Sequence, residues 1–309
     1  MKRKYKKKII KSIFYLMCFL LFAITNNLNI FNEYTKENNI EQKEETINNE
    51  LSSSISDDTS LLNVHYIDVG QGDSIFIELP NNLTMLIDGG ENDMGKVVID
   101  YISKLGYSKI DYVIGSHPHS DHIGGLIDIV NFFEIKKIYM PKALSTSKTY
   151  ENLLNSIAEK NLKIYTAKTG LNIINDSNLL VDIIAPNSDS YEDLNNYSVI
   201  LKLTYKNKSF LFTGDAEILS ENEITRDVSA DVIKVGHHGS NTSSSQSFIN
   251  KVGAKYAIIS VGKDNSYDHP HQVVLDRFKN SGAQIYRTDL NGTIIVTTDG
   301  NNIKINALK

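Results

Sequence analysis

The sequence predicts an α/β (α+β) fold in which two β-sheets pack face to face and helices cover both outer faces, a four-layer αββα sandwich. Short runs rich in β-branched and aromatic residues recur from Leu61 onward, as expected for strands. The segments between them place apolar residues three or four positions apart, which is typical of helices with one buried face. The hydrophobic content of 41% is sufficient for a buried core.

The predicted elements occur in two groups of strands with helices between them. The predicted strands comprise residues 64–69, 74–79, 83–87, 112–114, 137–140, 199–205, 210–213, 232–235, 256–261, 284–286 and 293–298. The predicted helices comprise residues 96–105, 126–133, 150–160, 216–225, 245–252 and 271–281. Pro80-Asn81-Asn82 and Asn291-Gly292 predict hairpin turns, because proline fixes φ and asparagine tolerates a left-handed backbone.

Residues 1–30 have the pattern of a signal peptide or signal anchor. Residues 1–11 contain seven Lys or Arg, and an almost wholly apolar run follows from Ser12 to Ile24. The segment Ala23-Ile24-Thr25 is a poor match to a cleavage site, and the apolar run is short for a membrane span, so cleavage and anchoring both stay open. We therefore expect an exported protein, either extracellular or tethered to the outer face of the cytoplasmic membrane.

Residues 31–60 form a polar linker, and residues 61–309 form the remaining domain. The linker is rich in Asn, Glu, Lys, Ser and Thr and has few apolar side chains, which predicts disorder. The single cysteine, Cys18, precedes both regions, so no disulfide stabilises the domain. The whole chain has a net charge of −5 despite its basic start, which argues against a broad basic nucleic-acid-binding surface.

The segment His117-Pro118-His119-Ser120-Asp121-His122 is the strongest functional signal. It holds three of the eight histidines and follows the apolar run Ile110–Ile114, which predicts a buried strand. Imidazole nitrogens and carboxylate oxygens are ligands of zinc and similar divalent cations, and a turn can direct alternate side chains at two adjacent centres. A polar loop whose histidines cap backbone groups is the weaker interpretation, because functional groups concentrate at strand ends.

Further candidates lie at the ends of other predicted strands. Asp88 follows residues 84–87 and is either a supporting carboxylate or a turn residue, and Asp215 follows residues 210–213 and is a metal ligand, a helix N-cap or both. The hydroxyl-rich segment containing Ser240 and Ser243 predicts either phosphate binding or N-capping. His269 is a candidate general acid or transition-state donor, with a surface role as the alternative.

These segments together resemble a known family. The pattern HxHxDH at residues 117–122 resembles the metallo-β-lactamase fold. A narrower resemblance, to the soluble hydrolase domain of ComEC DNA-uptake (competence) proteins, extends over residues 61–309. It rests on Ile67-Asp68-Val69-Gly70-Gln71-Gly72-Asp73-Ser74, Ser116–Gly125, Phe212-Thr213-Gly214-Asp215, Lys234-Val235-Gly236-His237-His238-Gly239-Ser240 and His269-Pro270-His271. This resemblance implies an αββα sandwich with a metal site at one edge.

The resemblance also implies a ligand set for two divalent metal ions, zinc or manganese. The implied ligands are His117 and His119 for the first ion, Asp121 and His122 for the second, Asp215 between them, and one residue of the pair His237-His238. His237 is favoured, with His238 and Asp88 as supporting residues or alternative ligands. The family's third motif normally supplies a histidine, but this chain has Asn195-Asn196-Tyr197-Ser198 there. Asparagine or water oxygens would favour manganese at the first position.

The function implied is an exported metal-dependent phosphodiesterase or nuclease. Two bound cations would activate a water molecule and polarise the scissile ester. Asp121 and His269 are the predicted catalytic residues, and Ser240 and Ser243 are predicted to contact a phosphodiester or other ester substrate, possibly DNA. The membrane is a partner only if the N-terminal segment is retained, and no obligate protein partner is inferred. The alternatives are an extracellular phosphorylcholine-type esterase and a non-catalytic metal-binding module, while β-lactam hydrolysis is the least favoured activity.

Overall fold

The computed structural model describes residues 61–309. The predicted signal segment, residues 1–30, and the predicted linker, residues 31–60, lie outside the described residues. Within residues 61–309, no helix is long and apolar enough to cross a membrane.

The first sheet has eight strands. Its spatial order is β15-β14-β1-β2-β3-β4-β5-β6. The strands are β1 (Leu62–Tyr66), β2 (Ile75–Glu78), β3 (Thr84–Ile87), β4 (Lys109–Ile114), β5 (Glu134–Met140), β6 (Ile164–Thr166), β14 (Ile294–Thr298) and β15 (Ile303–Ala307). From β3 to β6 neighbouring strands are parallel, and the remaining pairs are antiparallel.

The second sheet has seven strands in the order β13-β12-β11-β10-β9-β8-β7. These strands are β7 (Asn172–Asn175), β8 (Leu179–Ala185), β9 (Ile200–Tyr205), β10 (Lys208–Phe212), β11 (Val232–Lys234), β12 (Tyr256–Ile259) and β13 (Gln284–Arg287). Strands β10 to β13 are parallel. Each sheet therefore contains a parallel block whose strand ends point to one edge, where the loops can meet.

One apolar core lies between the two sheets. It combines side chains from both, for example Tyr66 and Ile114 from the first sheet and Phe210 and Phe212 from the second. Alternate strand residues point to the opposite face, so each sheet also has an outer apolar face that helices cover. On the second sheet this outer core includes Phe248 and Phe278, each on a different helix.

The helices lie between the strands as the apolar periodicity predicts. They are α1 (Gly95–Lys104), α2 (Ser120–Ile123), α3 (Leu126–Phe132), α4 (Lys148–Glu159), α5 (Ile218–Glu223), α6 (Gln246–Val252), α7 (Gln272–Asn280) and α8 (Thr288–Asn291), with 3-10 turns at Leu194–Tyr197 and Gly236–Gly239. The predicted αββα sandwich is confirmed. All six predicted helices are present, with ends that differ by a few residues.

The sequence prediction missed four strands and misassigned one turn. Strands β6 and β7 are half-exposed and carry no sustained alternation of apolar residues, so their pairing depends on tertiary context, whereas β15 alternates as Ile303-Lys304-Ile305-Asn306-Ala307 and was overlooked. Strand β8 is buried, but Asp182 interrupts its apolar run and a register shift breaks its pairing with β9. The predicted hairpin at Asn291-Gly292 is wrong, because these residues end helix α8 before β14.

Candidate metal centre

Polar loops converge where the parallel strands of both sheets end. Each loop contributes side chains suited to a metal ion. The first sheet supplies Asp73, Asp88, His117, His119, Asp121 and His122, and the second supplies Asp215, His237 and His238. The sequence prediction that these separate segments form one site therefore has a structural basis in the sheet topology.

Four side chains at this edge form a compact cluster. Ligand atoms of Asp121, His122, Asp215 and His238 all lie within 4.8 Å of one another. The Nε2 atom of His122 is 3.2 Å from one oxygen of Asp215, and the Nε2 atom of His238 is 3.5 Å from the other. His238 Nε2 also lies 3.3 Å from Asp121 Oδ2. Two imidazoles and two carboxylates in this arrangement can share one divalent cation.

The hydrogen bonding of the cluster fits a bound cation. The Nδ1 atom of His122 lies 2.8 Å from Asp88 Oδ2, and Nδ1 of His238 donates to the backbone oxygen of Ser260 at 2.9 Å. Their Nε2 atoms and Asp215 Oδ1 are buried and have no hydrogen-bond partner among the described residues. A histidine whose Nδ1 is anchored and whose Nε2 is free is typical of a metal ligand.

The charge state of the metal-free cluster reflects its buried carboxylates. Burial opposes protonation of His238, but Asp215 and the other nearby carboxylates outweigh it and raise its pKa to about 10. The same competition raises the pKa of His122 well above the ordinary value. Burial alone would raise the pKa of Asp121, but His122 and His238 lower it below its usual range. A bound cation therefore has to displace protons from the imidazoles.

His117 and His119 form an adjacent pair rather than a complete cluster. His117 Nε2 is 3.0 Å from His119 Nδ1, and His117 Nδ1 is 3.1 Å from the hydroxyl of Ser116. Burial, together with neighbouring His122, holds the pKa of His117 well below its usual value, so its ring is neutral and able to bind a metal. Among residues 61–309, no third His, Cys, Asp or Glu joins this pair within the spacing of the first cluster.

The asparagine that occupies the third-motif position faces the same space. Asn195 lies on a 3-10 turn before β9 and lines the cavity with His119 and Asp215. Its side-chain oxygen is buried and has no hydrogen-bond partner within residues 61–309. Nearby, Ser198 accepts a hydrogen bond from the backbone NH of Asp215 at 3.0 Å. The segment therefore offers an unpaired oxygen where the sequence lacks a histidine.

The structure brings His238, and not the favoured His237, into the four-residue cluster. Both residues have a left-handed backbone, with φ of 51° and 52°, a conformation that is strained for side chains with a Cβ. This turn buries His238 completely, whereas His237 remains partly exposed, with Nε2 3.7 Å from Asp215. His237 Nδ1 lies 3.2 Å from the hydroxyl of Thr242. The geometry therefore supports the alternative ligand over the first choice.

Asp88 occupies the supporting position that the sequence suggested. One of its oxygens accepts a hydrogen bond from Ser116 NH at 2.7 Å, while the other contacts His122. It therefore orients both the start of the His-rich loop and one imidazole. Gly125 is required because a Cβ there would lie 2.1 Å from the backbone oxygen of Gly89. The loop packs directly against the segment after β3.

Sequence reasoning gave no role to the buried pair Asp73 and Lys234. Lys234 is fully buried on β11, forms an ion pair with Asp73, and donates to the Gly214 backbone oxygen at 3.1 Å. Asp73 Oδ1 is 3.6 Å from His238 Nδ1. A buried cation offsets the negative charge of the aspartates around it. The available signal was a lysine within the apolar run Val232-Ile233-Lys234-Val235.

The hydroxyl-rich loop is positioned for structure rather than for substrate. Ser243 is fully buried, and its hydroxyl donates to the Ala216 backbone oxygen at 2.7 Å. The Ser240 hydroxyl is 3.1 Å from that of Thr242, and Ser245 caps helix α6 by accepting from Phe248 NH at 3.2 Å. This geometry argues against the predicted substrate contacts of Ser240 and Ser243, because their hydroxyls serve the loop itself.

A cavity of about 310 Å³ opens onto the cluster. Its lining residues are Gln71, His119, Ser120, Asp121, Asn195, Asp215, His237, His238, Tyr267 and His269. Burial and the neighbouring histidines lower the pKa of His269 to about 4. At neutral pH His269 is therefore uncharged, so it can donate a hydrogen bond but is not the cationic general acid that the sequence suggested.

Comparisons with known proteins identify the family of this chain. Residues 67–263 match the Metallo-beta-lactamase superfamily. The chain is 33% identical over 251 residues to ComE operon protein 3 of Bacillus subtilis (strain 168), a match that covers 75% of this chain and 32% of that protein. It is 27% identical over 231 residues to Competence protein ComA of Neisseria gonorrhoeae, covering 74% and 31%. The predicted resemblance to competence proteins is confirmed, and the chain spans about a third of the length of these relatives.

A solved structure supports the fold alone. CmlA, a diiron beta-hydroxylase from Streptomyces venezuelae, superposes with a TM-score of 0.52 at 12% identity, covering 77% of this chain and 54% of that one. The likeness therefore adds to the assignment of the two-sheet sandwich and says nothing about the reaction of this chain.

Replacing either paired histidine tests the ligand assignment. We expect His238→Ala to weaken the binding of a divalent cation by more than about 100-fold, because loss of a ligand exceeds the effect of losing a supporting residue. His237→Ala removes the same group beside the cluster and should change affinity by less than about 10-fold. Titration calorimetry with Mn²⁺ and Zn²⁺ measures both. Loss of binding in His237→Ala with retention in His238→Ala would reverse the assignment.

The stability of the metal-free protein should depend on pH. Because the folded-state pKa of His238 is raised to about 10, its stabilising contribution is complete below about 6.5, the value of an unfolded chain. The free energy of unfolding should therefore fall as pH rises from about 6.5 to about 10, as measured by urea unfolding after treatment with a chelator. Metal-loaded protein should lack this loss, because a cation replaces the proton. A metal-free stability that rises across this window would contradict the charge assignment.

Proposed function

The chain belongs to the Metallo-beta-lactamase superfamily, whose members are generally hydrolases. We propose that it is a metal-dependent phosphodiesterase that acts as a nuclease. The observation that carries the proposal is the cluster of Asp121, His122, Asp215 and His238, whose ligand atoms lie within 4.8 Å of one another beside an open cavity. A buried structural site would have no need of such a cavity. Substrate access is what distinguishes a catalytic metal site from a purely structural one.

We propose that two divalent cations bind at this edge. The four-residue cluster would hold one, and His117, His119 and the side-chain oxygen of Asn195 would hold the other. The oxygen ligand beside His117 and His119 would favour manganese over zinc there. Bound cations would supply Lewis-acid activation of water and of the scissile group.

The side chains around the cations have distinct proposed roles. Asp121 faces the cavity, and its lowered pKa keeps it ionised at neutral pH, so it would serve as a charged ligand on the open side of the site. Asp88 and the Ser260 backbone oxygen hold the two buried imidazoles in the orientation that binding requires. His269 is neutral and can donate a hydrogen bond to an anionic oxygen of the substrate.

The substrate class follows from the competence-protein relatives together with the exported location that the sequence predicts. One relative is named Competence protein ComA and another ComE operon protein 3, and this chain spans about a third of their length. The seven basic residues in positions 1–11, followed by an apolar run, predict export, which would bring extracellular DNA within reach. Because the net charge of the chain is negative, we expect it to bind a DNA strand weakly and not to bind duplex DNA tightly and non-specifically.

Hydrolysis assays test this proposal. We expect the full chain, loaded with Mn²⁺ or Zn²⁺, to hydrolyse linear DNA and bis-(p-nitrophenyl) phosphate and to lose both activities with a chelator. Asp121→Asn should lower kcat/KM by more than about 100-fold, because it removes a charged ligand. The matched control is Asp100→Asn, which changes an exposed aspartate paired with Lys96 on helix α1 and should retain full activity.

Three outcomes separate the candidate functions. Metal-dependent cleavage of DNA that is lost in Asp121→Asn supports the nuclease. Cleavage of phosphorylcholine esters without cleavage of DNA would move the assignment to an extracellular esterase. A metal-loaded chain that binds its cations but hydrolyses no ester of any class would indicate a non-catalytic metal-binding module.

A further inference from the structure

We propose that Tyr267 and His269 form a stacking platform for a nucleobase next to the metal cluster. This inference rests on the proposed phosphodiesterase function and names the part of the substrate that the site recognises. The two rings lie in the loop between β12 and helix α7, and both line the cavity that contains Asp121 and Asp215. The platform would hold the base of a nucleotide whose phosphate lies at the cations.

The two rings have the geometry of a stack with one open face. Their centroids are 5.6 Å apart and their planes differ by 25°, which is a nearly parallel arrangement. Tyr267 is 61% exposed, so its outer face is free to receive a further flat ring. A nucleobase can stack on such a face regardless of its identity, because every base has a π-surface.

Ring contacts connect this platform to the cluster. The ring of His269 lies 5.6 Å from that of His237, which in turn lies 6.2 Å from that of His238. His238 belongs to the metal cluster, so the rings lead from the proposed reaction centre to the rim of the cavity. Partly exposed His237 therefore lies between the platform and the metal cluster, where it would contact the substrate, although it is not one of the four cluster residues.

The platform is fixed before any ligand binds. The side-chain oxygen of Asn265 accepts hydrogen bonds from the backbone NH groups of Tyr267 and His269, both at 3.1 Å. Its amide donates to the backbone oxygens of Gly262 at 2.9 Å and His269 at 2.7 Å. Asn265 therefore closes the loop on itself. A binding surface that is ordered in advance loses less entropy when its ligand arrives.

Two further contacts tie the loop to its surroundings. The backbone NH of Gly262 donates to the side-chain oxygen of Gln71 at 3.1 Å, which links the start of the loop to the first sheet. At the other end, His271 Nδ1 accepts from the backbone NH of Asn241 at 3.0 Å, close to the His237-His238 turn. The platform therefore has a defined position relative to the ligands.

The shape of the platform favours a base over a quaternary ammonium group. Recognition of choline uses several aromatic faces arranged as a cage around the cation. Here the nearly parallel rings of Tyr267 and His269 form one offset stack and not an enclosing cage. A flat stack of this kind suits a nucleobase.

Binding of a labelled oligonucleotide tests the platform separately from hydrolysis. The full chain is used with Mn²⁺ present, and both strands carry phosphorothioate linkages so that they resist cleavage. The probes are a fluorescent single-stranded oligonucleotide and an abasic strand of equal length with the same phosphates. Fluorescence anisotropy gives the Kd for each in the parent, in Tyr267→Ala, in Tyr267→Phe and in the matched control Tyr165→Ala, which removes a partly exposed ring on β6.

We expect Tyr267→Ala to raise the Kd for the base-containing strand by about 5- to 100-fold, the effect of one stacking contact. Tyr267→Phe and Tyr165→Ala should bind it like the parent, because each retains the ring at position 267. The abasic strand should bind weakly to every variant. Equal binding of the base-containing strand by the parent and Tyr267→Ala would overturn the proposal, as would a Tyr267→Ala defect that is the same for both strands.

The same variants distinguish the platform from the proposed activity. If Tyr267→Ala impairs binding of a phosphorylcholine ester but leaves oligonucleotide binding unchanged, the platform is a cation site and the proposal is overturned. If the wild-type chain hydrolyses no phosphodiester while oligonucleotide binding still depends on the ring at position 267, the platform stands and the phosphodiesterase assignment fails.

Discussion

Burial of several carboxylates beside unpaired imidazole nitrogens is the constraint on which the rest of this site depends. Asp73, Asp88 and Asp215 are almost wholly removed from solvent, at 1%, 0% and 2% exposure. Buried charges are destabilising unless opposite charge and hydrogen bonds accompany them. Lys234 supplies one buried positive charge, and protonated imidazoles supply more in the metal-free protein. A divalent cation would replace those protons, so metal binding, protonation and folding are linked.

The two-sheet sandwich makes this concentration of charge possible. Parallel strands in both sheets end at one edge, so loops that are far apart in sequence meet without long excursions from the core. This arrangement strains the backbone locally, because His237 and His238 both have a left-handed conformation. Strain of this kind persists only where the surrounding structure fixes it. Here it directs His238 inward beside Asp215 and leaves His237 toward the cavity, beside the aromatic platform.

Much of the fold and part of the site could be predicted from the sequence, because both depend on local patterns. Apolar periodicity located the helices, and the apolar runs before His117 and Asp215 located the strand ends that carry them. The choice between His237 and His238 depends on the hand of one turn, which residue types do not encode. Lys234 on the second sheet pairs with Asp73 next to the first, and the Ser243 hydroxyl donates a hydrogen bond to the Ala216 backbone oxygen. Both contacts join residues that are far apart in sequence, so residue spacing does not predict them.

Crystals of the full chain grown with Mn²⁺ would test the central claim most directly, through anomalous scattering recorded at the manganese edge. The account predicts a strong anomalous peak bounded by Asp121, His122, Asp215 and His238, the four side chains whose ligand atoms already lie within 4.8 Å of one another. It predicts a second peak beside His117, His119 and Asn195. An absence of anomalous density within the four-residue cluster, in crystals that bind manganese elsewhere on the protein, would contradict the assignment of this cluster as the metal centre.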